Sequence, residues 1–329
     1  MEVVKENLGE FAASPTNFGR TSMVMHTIKI NAAKPFRHKL RPIPFAQRQY
    51  LEQEVEKLLS IGAFSEADPG AYPYASRTVT TPKKYGSVQM CVDYRDINAQ
   101  TEKDAYPLLR IDQVWPVLVT AQYFSSLDLL MGYYQVEVEP KDRFKTAFVT
   151  HRGLYIYNIM PFGLCNAPAI FQRLMENILG ILIGCGVLVH LDDVLIYAKT
   201  SEELLDKLSQ VLMLLDKAGL KCKAAKCSVF TQKVHYFGHI ITKEKINSEP
   251  TKLETISKWP KPEKETGLAS FLRLCNYYRD LILKFAHISG LLYTVSTSSI
   301  VEWTPKLNLS FDKLKQQLLE PRIVRMPDP

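Results

Sequence analysis

The feature that most restricts the fold is a pair of adjacent acids between two apolar runs. Asp192 and Asp193 separate VLVHL from VLIYA, and both runs are rich in residues typical of β-strands. So short an interruption predicts a hairpin with two carboxylates at its tip. The like charges repel each other, and the apolar strands keep much of the water away. A divalent cation would relieve this repulsion, and Mg²⁺ prefers oxygen ligands.

A third acid, Asp128, follows a short β-type run inside the otherwise uncharged stretch YFSSLDLLMGYYQV. If this strand neighbours the hairpin, three carboxylates converge and could hold two metal ions for an in-line phosphoryl displacement. The alternative is an ordinary turn, because Asp suits turn geometry and acidic pairs are common there. The pair by itself does not decide between a turn and a catalytic site.

Length and charge set broader limits. A chain of 329 residues is too long for one ordinary core, so we expect two or more subdomains. The formal net charge of +7 suits a polyanionic partner such as nucleic acid without requiring one. The N-terminus lacks the basic-then-apolar pattern of a signal peptide, and the longest apolar run is shorter than the about 20 residues of a membrane span. We expect no membrane partner and a cytoplasmic or nuclear location rather than secretion.

Periodicity along the chain predicts an α+β fold. Helical spacing covers residues 45–59, 167–181, 201–218 and most of 250–329. Strand patterns occur in a hairpin formed by SRTVTTPKK and VQMCVDYR, in QVEVE, and in VHYFGHII. Residues 1–36 show little periodicity apart from a short alternating stretch, so we expect a loose lead-in.

Four residues have a spacing that hints at zinc: Cys222, Cys227, His235 and His239 form C-x4-C-x7-H-x3-H. A Cys₂His₂ finger needs a middle spacer of about 12 residues, and the spacer here is shorter. The two histidines also fall in a predicted strand pair. The spacing therefore disfavours zinc.

Several longer motifs occur in a characteristic order. They are YPYASRTVTTPKK, MCVDYRDIN, MPFGLCNAPAIFQRLM, LDDVLIYAKT and YFGHII. In order and spacing, from about residue 18 onward, the chain resembles the reverse transcriptases of gypsy-class LTR retrotransposons. The resemblance implies a right-hand polymerase with fingers, an antiparallel-sheet palm and a helical thumb. It also implies a lead-in at 1–36 similar to the protease–polymerase linker, fingers and palm at 37–246, a thumb at 247–296, and at 297–329 the start of a connection before an RNase H domain that this chain lacks.

The resemblance also assigns roles to residues. It implies that Asp128, Asp192 and Asp193 are catalytic and bind two Mg²⁺ ions, with Mn²⁺ as a possible substitute. Tyr133 resembles the residue that rejects a ribose 2′-hydroxyl. Lys226 resembles a basic residue near the leaving pyrophosphate, with a solvated lysine as the alternative. The implied nucleotide-binding residues are Lys83, Lys84, Gln89, Tyr133, Phe162 and Gln172, and the implied primer grip is Phe237, Gly238 and His239.

The implied reaction is RNA-directed DNA synthesis, in which deoxynucleoside triphosphates extend a primer on an RNA or DNA template. RNase H and integrase parts of a longer polyprotein are further possible partners. Two departures concern the site: Gln89 stands where the family usually has Arg, and His190 where it usually has Tyr. Losing a charged hydrogen bond costs about 1.5–3 kcal/mol. The departures leave open an alternative, a degenerate Pol fragment that is weakly active or inactive and only binds nucleic acid.

Overall fold

The protein is described by a computed structural model. It describes residues 9, 11–14, 16–31, 34–40, 42–68, 70, 72–82, 88–108, 118, 120–243, 246–248, 250–279, 282–295 and 301–319. The chain forms two compact units. The first comprises residues 1–109, 126–196 and 205–229, and the second comprises residues 110–125, 197–204 and 230–329.

Strands and helices alternate irregularly along the chain, which confirms the predicted α+β class. The strands are β1 Thr21–His26, β2 Phe36–Arg37, β3 Phe64–Glu66, β4 Tyr74–Pro82, β5 Val88–Asp93, β6 Tyr123–Asp128, β7 Val136–Val138, β8 Phe148–Thr150, β9 Gly153–Tyr157, β10 Val187–His190, β11 Asp193–Ala198, β12 Ser228–Thr231, β13 Lys233–Tyr236, β14 His239–Thr242 and β15 Ile246–Ser248. The α-helices are α1 Phe45–Ser60, α2 Arg95–Gln100, α3 Ala167–Leu179, α4 Ser201–Lys217, α5 Pro250–Ser257, α6 Glu265–Tyr277, α7 Phe285–Val295 and α8 Pro305–Leu319.

The strands form several small sheets. One has the order β2-β4-β8-β9-β3, with β5 added to β4, and another has the order β10-β11-β6-β12. The strands β13, β14 and β15 form a third sheet. The predicted hairpin of β4 and β5 is present, with Thr81 opposite Gln89 and Arg77 opposite Asp93, while its turn at 83–87 lies outside the described residues.

Two helices of the first unit follow from their apolar spacing. In α1, Leu51, Val55 and Leu58 lie at i, i+4 and i+7 and are all buried. They pack in one core with aromatic residues from β8 and β9. In α3, the buried face runs from Ala167 to Leu179, and Pro168 lies in the first turn, where its missing N–H costs nothing. This burial fixes the direction in which α3 presents its remaining side chains.

Residues 19–26 of the N-terminal segment are not loose, so that prediction was wrong for this part of the segment. Strand β1 pairs in parallel with β7. The Arg20 guanidinium donates a 2.6 Å hydrogen bond to the carbonyl of Tyr134, a residue 114 positions away. A Cβ on Gly19 would lie 2.2 Å from the carbonyl oxygen of Gly219. Local periodicity could not reveal these contacts because every partner is distant in the sequence.

The second unit contains the predicted helical region. Helices α5, α6, α7 and α8 share one core, which includes Ile256, Phe271, Leu292 and Phe311. The predicted boundary after residue 296 lies outside the described residues, but the helices on its two sides belong to this one core. The division into fingers, palm, thumb and connection stays a prediction. Every helix in the described part of the chain is too short or too polar to cross a membrane.

Candidate active site

The acidic pair lies where the sequence predicted it. Strands β10 and β11 are antiparallel with His190 opposite Asp193, so Leu191 and Asp192 form the loop between them. Leu191 has a φ of 55°, in the left-handed region that L-residues rarely adopt. A strained backbone of this kind persists only where its surroundings hold it.

Gln172 of α3 holds this loop. Its side-chain oxygen accepts a 2.8 Å hydrogen bond from the backbone amide of Leu191. Its amide nitrogen donates to the carbonyl of Val189 at 3.2 Å and to the carboxylate of Glu176 at 2.7 Å. Gln172 is only 1% exposed. Its contact with the nucleotide stays a prediction; in this structure the buried amide positions the hairpin.

Asp128 ends β6 and is fixed through its backbone as well as its side chain. Its carbonyl accepts a 2.8 Å hydrogen bond from the amide of Lys223, and its own amide donates to the sulfur of Cys227 at 3.5 Å. The carboxylate forms a 2.7 Å ion pair with the ammonium of Lys226. The next residue, Leu129, donates its amide to the carbonyl of Asp192 at 3.1 Å. The end of β6 is thus tied to the tip of the hairpin.

The charges of neighbouring acids act on the pKa of Asp192 and of Asp193. Burial raises the pKa of Asp192, and the charge of Asp128 acts in the same direction. Asp193 reaches the surface, yet crowding by protein atoms raises its pKa to about 6, with further contributions from Asp192 and Asp128. Lys226 opposes both shifts. Burial lowers the pKa of His190, which favours its neutral form. The site therefore carries negative charge that its own residues only partly compensate.

The donor chemistry of this site fits a divalent metal ion, because carboxylate oxygens are the ligands that hard cations prefer. Within the described residues, no three His, Cys, Asp or Glu side chains lie closely enough to form a metal cluster. The same result applies to the cysteines and histidines with zinc-like spacing.

Aromatic side chains lie beside the acids. Tyr133 belongs to a short 3₁₀ turn, Gly132–Gln135, and its ring centroid is 5.1 Å from that of Phe162 and 5.5 Å from that of Phe171. Burial raises the pKa of Tyr133 to about 12, and the charge of Asp192 adds to the shift. The phenol is therefore neutral at physiological pH. Phe162 is 43% exposed, so this aromatic group has an open face.

Gly132 is a site residue that sequence reasoning missed. A Cβ at this position would lie 2.8 Å from Cζ of Phe171 and 3.1 Å from Cβ of Asp192. Only glycine leaves room for both neighbours. Its position four residues after a candidate metal ligand is the one signal that could have suggested a close backbone approach.

The structure does not describe the side chains of the other three residues that are predicted to bind the nucleotide. Lys83 and Lys84 lie outside the described residues. The backbone of Gln89 lies in β5 opposite Thr81, and its side chain is likewise outside the description.

The predicted primer grip lies in the second unit, between β13 and β14. Phe237 and Gly238 form the turn with φ values of 48° and 67°. The carbonyl of Phe237 accepts a 2.6 Å hydrogen bond from the hydroxyl of Tyr277 and lies 2.8 Å from Nδ1 of His239. His239 is only 3% exposed, so it braces the turn from inside, and direct contact with a ligand would fall to the other two residues.

Comparison with known proteins identifies the family. Residues 81–241 match the reverse transcriptase (RNA-dependent DNA polymerase) family. The chain is 33% identical over 315 residues to the Pol polyprotein of transposon 297 of Drosophila melanogaster, covering 94% of this chain and 30% of that protein. It is 32% identical over 272 residues to the Pol polyprotein of the gypsy transposon of the same organism, covering 81% of this chain and 26% of that protein. The chain thus spans about a third or less of these relatives.

Solved structures show the same fold. A foamy viral protease–reverse transcriptase in complex with double-stranded DNA matches with a TM-score of 0.88 at 21% identity, over 98% of this chain and 56% of that one. A foamy viral protease–reverse transcriptase in complex with an RNA/DNA hybrid matches with a TM-score of 0.84 at 21% identity, over 97% of this chain and 43% of that one. These matches confirm the predicted polymerase fold. The chain therefore belongs to the reverse transcriptase family, and its relatives are the Pol polyproteins of retrotransposons.

Proposed function

We propose that this chain is an RNA-directed DNA polymerase that adds deoxynucleotides to a primer 3′ end and releases pyrophosphate. One observation carries the proposal: the end of β6 and the hairpin tip, which carry Asp128, Asp192 and Asp193, are joined by the hydrogen bond from Leu129 to Asp192 within a reverse transcriptase domain. The charge of Asp128 raises the pKa of both Asp192 and Asp193, which supports the view that the three residues act together.

Reverse transcriptases use divalent metal ions. We infer that Asp128, Asp192 and Asp193 would hold two Mg²⁺ ions, with Mn²⁺ as a substitute. When bound, such ions would favour ionisation of the primer hydroxyl and offset the charge on the leaving pyrophosphate. The protein contributes by holding the carboxylates at fixed points, through the backbone bonds of Asp128 and through Gln172 below the hairpin.

The aromatic group of Tyr133, Phe162 and Phe171 supports a role in nucleotide selection. A rigid ring that packs beneath the sugar leaves no space for a ribose 2′-hydroxyl, and Tyr133 is held by ring contacts on two sides. Lys83, Lys84 and Gln89 are the proposed partners of the triphosphate, since charged and amide donors suit phosphate oxygens.

The proposed partner is a primer–template duplex. The foamy viral proteins that share this fold were solved in complex with an RNA/DNA hybrid and with double-stranded DNA. The net charge of +7 suits non-specific contacts with a phosphate backbone. We further propose that Phe237, Gly238 and His239 form the primer grip, that RNase H and integrase parts accompany the domain in a polyprotein, and that it acts in the cytoplasm, in virus-like particles or in the nucleus.

Primer extension tests the proposal. The purified chain is given a DNA primer on an RNA template and, separately, on a DNA template, with Mg²⁺ and deoxynucleoside triphosphates. We expect extension on both, and Asp192→Asn should lower the rate by at least about a hundredfold because a metal ligand is lost. Asp312→Asn is the matched control, since Asp312 is 60% exposed on α8.

The alternative, a degenerate fragment that only binds nucleic acid, gives a different result. A folded wild-type chain that binds the duplex in a salt-dependent manner but never extends the primer would refute the polymerase proposal. Equal extension rates for the wild type and Asp192→Asn would refute the assigned site, because the activity would then come from elsewhere.

A further inference from the structure

Backbone hydrogen bonds hold the segment that carries Lys226 next to Asp128. Lys226 ends the short 3₁₀ turn Ala224–Lys226, and its amide donates a 2.9 Å hydrogen bond to the carbonyl of Lys223. The amide of Lys223 in turn donates to the carbonyl of Asp128 at 2.8 Å, and Cys227 accepts the amide of Asp128 at 3.5 Å. The turn is therefore hydrogen-bonded to the backbone of Asp128. The ammonium of Lys226 lies 2.7 Å from the carboxylate of Asp128.

Lys226 supplies a positive charge to the three acids of the site. Among the described residues, it is the one lysine or arginine that forms an ion pair with Asp128, Asp192 or Asp193. The Asp128 side chain is only 17% exposed, whereas that of Lys226 is 56% exposed. The carboxylate is thus confined, while the long lysine side chain has open space into which it can withdraw.

We propose that Lys226 acts as a built-in substitute cation, which occupies Asp128 until a divalent metal ion displaces it. This inference rests on the proposed function, because it assumes that the three carboxylates bind metal. An oxygen of Asp128 that is bonded to the ammonium is not free to coordinate a metal ion.

Exchange of this kind has two measurable consequences. Metal binding should free the Lys226 amine, so its reaction with an acylating reagent should become faster. Removing the ammonium should also tighten metal binding, because the metal no longer competes with it. The pair is partly exposed, so we expect a change of about fivefold in affinity rather than a larger one.

The experiment uses the full chain and Mn²⁺ alone as the probe. Binding is measured by the loss of the free-ion signal in electron paramagnetic resonance, and lysine reactivity by acetylation with an N-hydroxysuccinimide ester followed by mass spectrometry. Saturating Mn²⁺ should raise the acetylation rate of Lys226 about fivefold and leave that of Lys223 unchanged. Lys226→Met should bind Mn²⁺ about fivefold more tightly than the wild type.

Lys223→Met is the matched control. It removes the same charge from the same turn, and within the described residues the exposed Lys223 side chain forms no hydrogen bond or ion pair. Equal affinity gains in Lys223→Met and Lys226→Met would overturn the inference, because a general charge effect would then suffice. Tight Mn²⁺ binding with no change in Lys226 acetylation would also overturn it while leaving the metal site intact. A wild type that binds no Mn²⁺ would refute the metal site and the substitute cation together.

Discussion

The backbone amide of Leu191 donates a 2.8 Å hydrogen bond to the side-chain oxygen of Gln172. This bond joins a strained residue at the tip of the hairpin that carries Asp192 and Asp193 to a buried side chain on α3. A left-handed conformation costs an L-residue about 1–2 kcal/mol, so the loop needs such an anchor. Because Asp192 follows Leu191 directly, the anchor also determines where the carboxylate lies.

Replacing the anchor should therefore damage both folding and activity. In Gln172→Leu, the amide of Leu191 and the carbonyl of Val189 lose a buried partner, so the free energy of unfolding should fall by about 1–3 kcal/mol. The primer extension rate should fall by more than the loss of folded protein, as measured by urea unfolding, can explain. The control is Gln210→Leu on α4, which removes an exposed bond to Asp206 and should change stability by less than about 0.5 kcal/mol. Wild-type extension by Gln172→Leu would show that the hairpin needs no such anchor.

Gly132→Ala should disturb the site through crowding. The new methyl group would push against Phe171 and Asp192, and overpacking of this kind costs about 1–3 kcal/mol. We expect a clear loss of extension rate with the fold retained by circular dichroism. Gly290→Ala on α7 is the control: its Cβ meets nothing within 4 Å, so the variant should gain about 0.5–1 kcal/mol of helix stability. Unimpaired activity in Gly132→Ala would mean that the backbone readily yields at this point.

Asp193 should make the metal-free protein less stable as the pH rises. Its pKa is raised to about 6 in the folded protein from an ordinary value near 3.8, so the folded state binds the proton more tightly than the unfolded state does. The stabilising effect of that proton is present below pH 4 and is lost as the pH rises to about 6. In thermal unfolding without metal, Asp193→Asn should therefore gain more stability over the wild type at pH 7.5 than at pH 4.5. An equal gain at both pH values would contradict the raised pKa.

Changing the size of the side chain at position 133 tests the proposed role of Tyr133 in nucleotide selection. Tyr133→Ala should raise the use of ribonucleotides relative to deoxyribonucleotides by about tenfold or more, because the ring that blocks the 2′-hydroxyl is gone. Tyr133→Phe keeps the ring and loses only a hydroxyl, so its selectivity should stay close to that of the wild type. The measurement is the ratio of kcat/KM for the two nucleotides in single-nucleotide extension. Unchanged ratios in both variants would exclude Tyr133 as the selecting residue.

Sequence patterns predicted those parts of the molecule that depend on local spacing. The periodic apolar residues of α1 and the two apolar runs around Asp192 and Asp193 each specify an element by themselves. The patterns did not predict the pairing of Lys226 with Asp128, 98 residues apart, or the role of Gln172 below the hairpin. Those relationships arise from packing between distant segments, which no local pattern records. The family resemblance suggested that Gln172 was near the nucleotide, which stays a prediction, whereas its bonds to the backbone of Leu191 and Val189 were found only in the structure.

The N-terminal contacts have a consequence for synthesis on the ribosome. Gly9 accepts a hydrogen bond from Lys221, 212 positions later, and Ala12 donates its amide to Cys222. At roughly 5–20 residues per second, the start of the segment waits roughly 10–40 s for its partner to be made. Strand β1 stays unpaired only until its partner β7, Val136–Val138, has been made, and during that time other polypeptides can bind it. We therefore expect the yield of native protein to depend on translation speed and on chaperones that protect this segment.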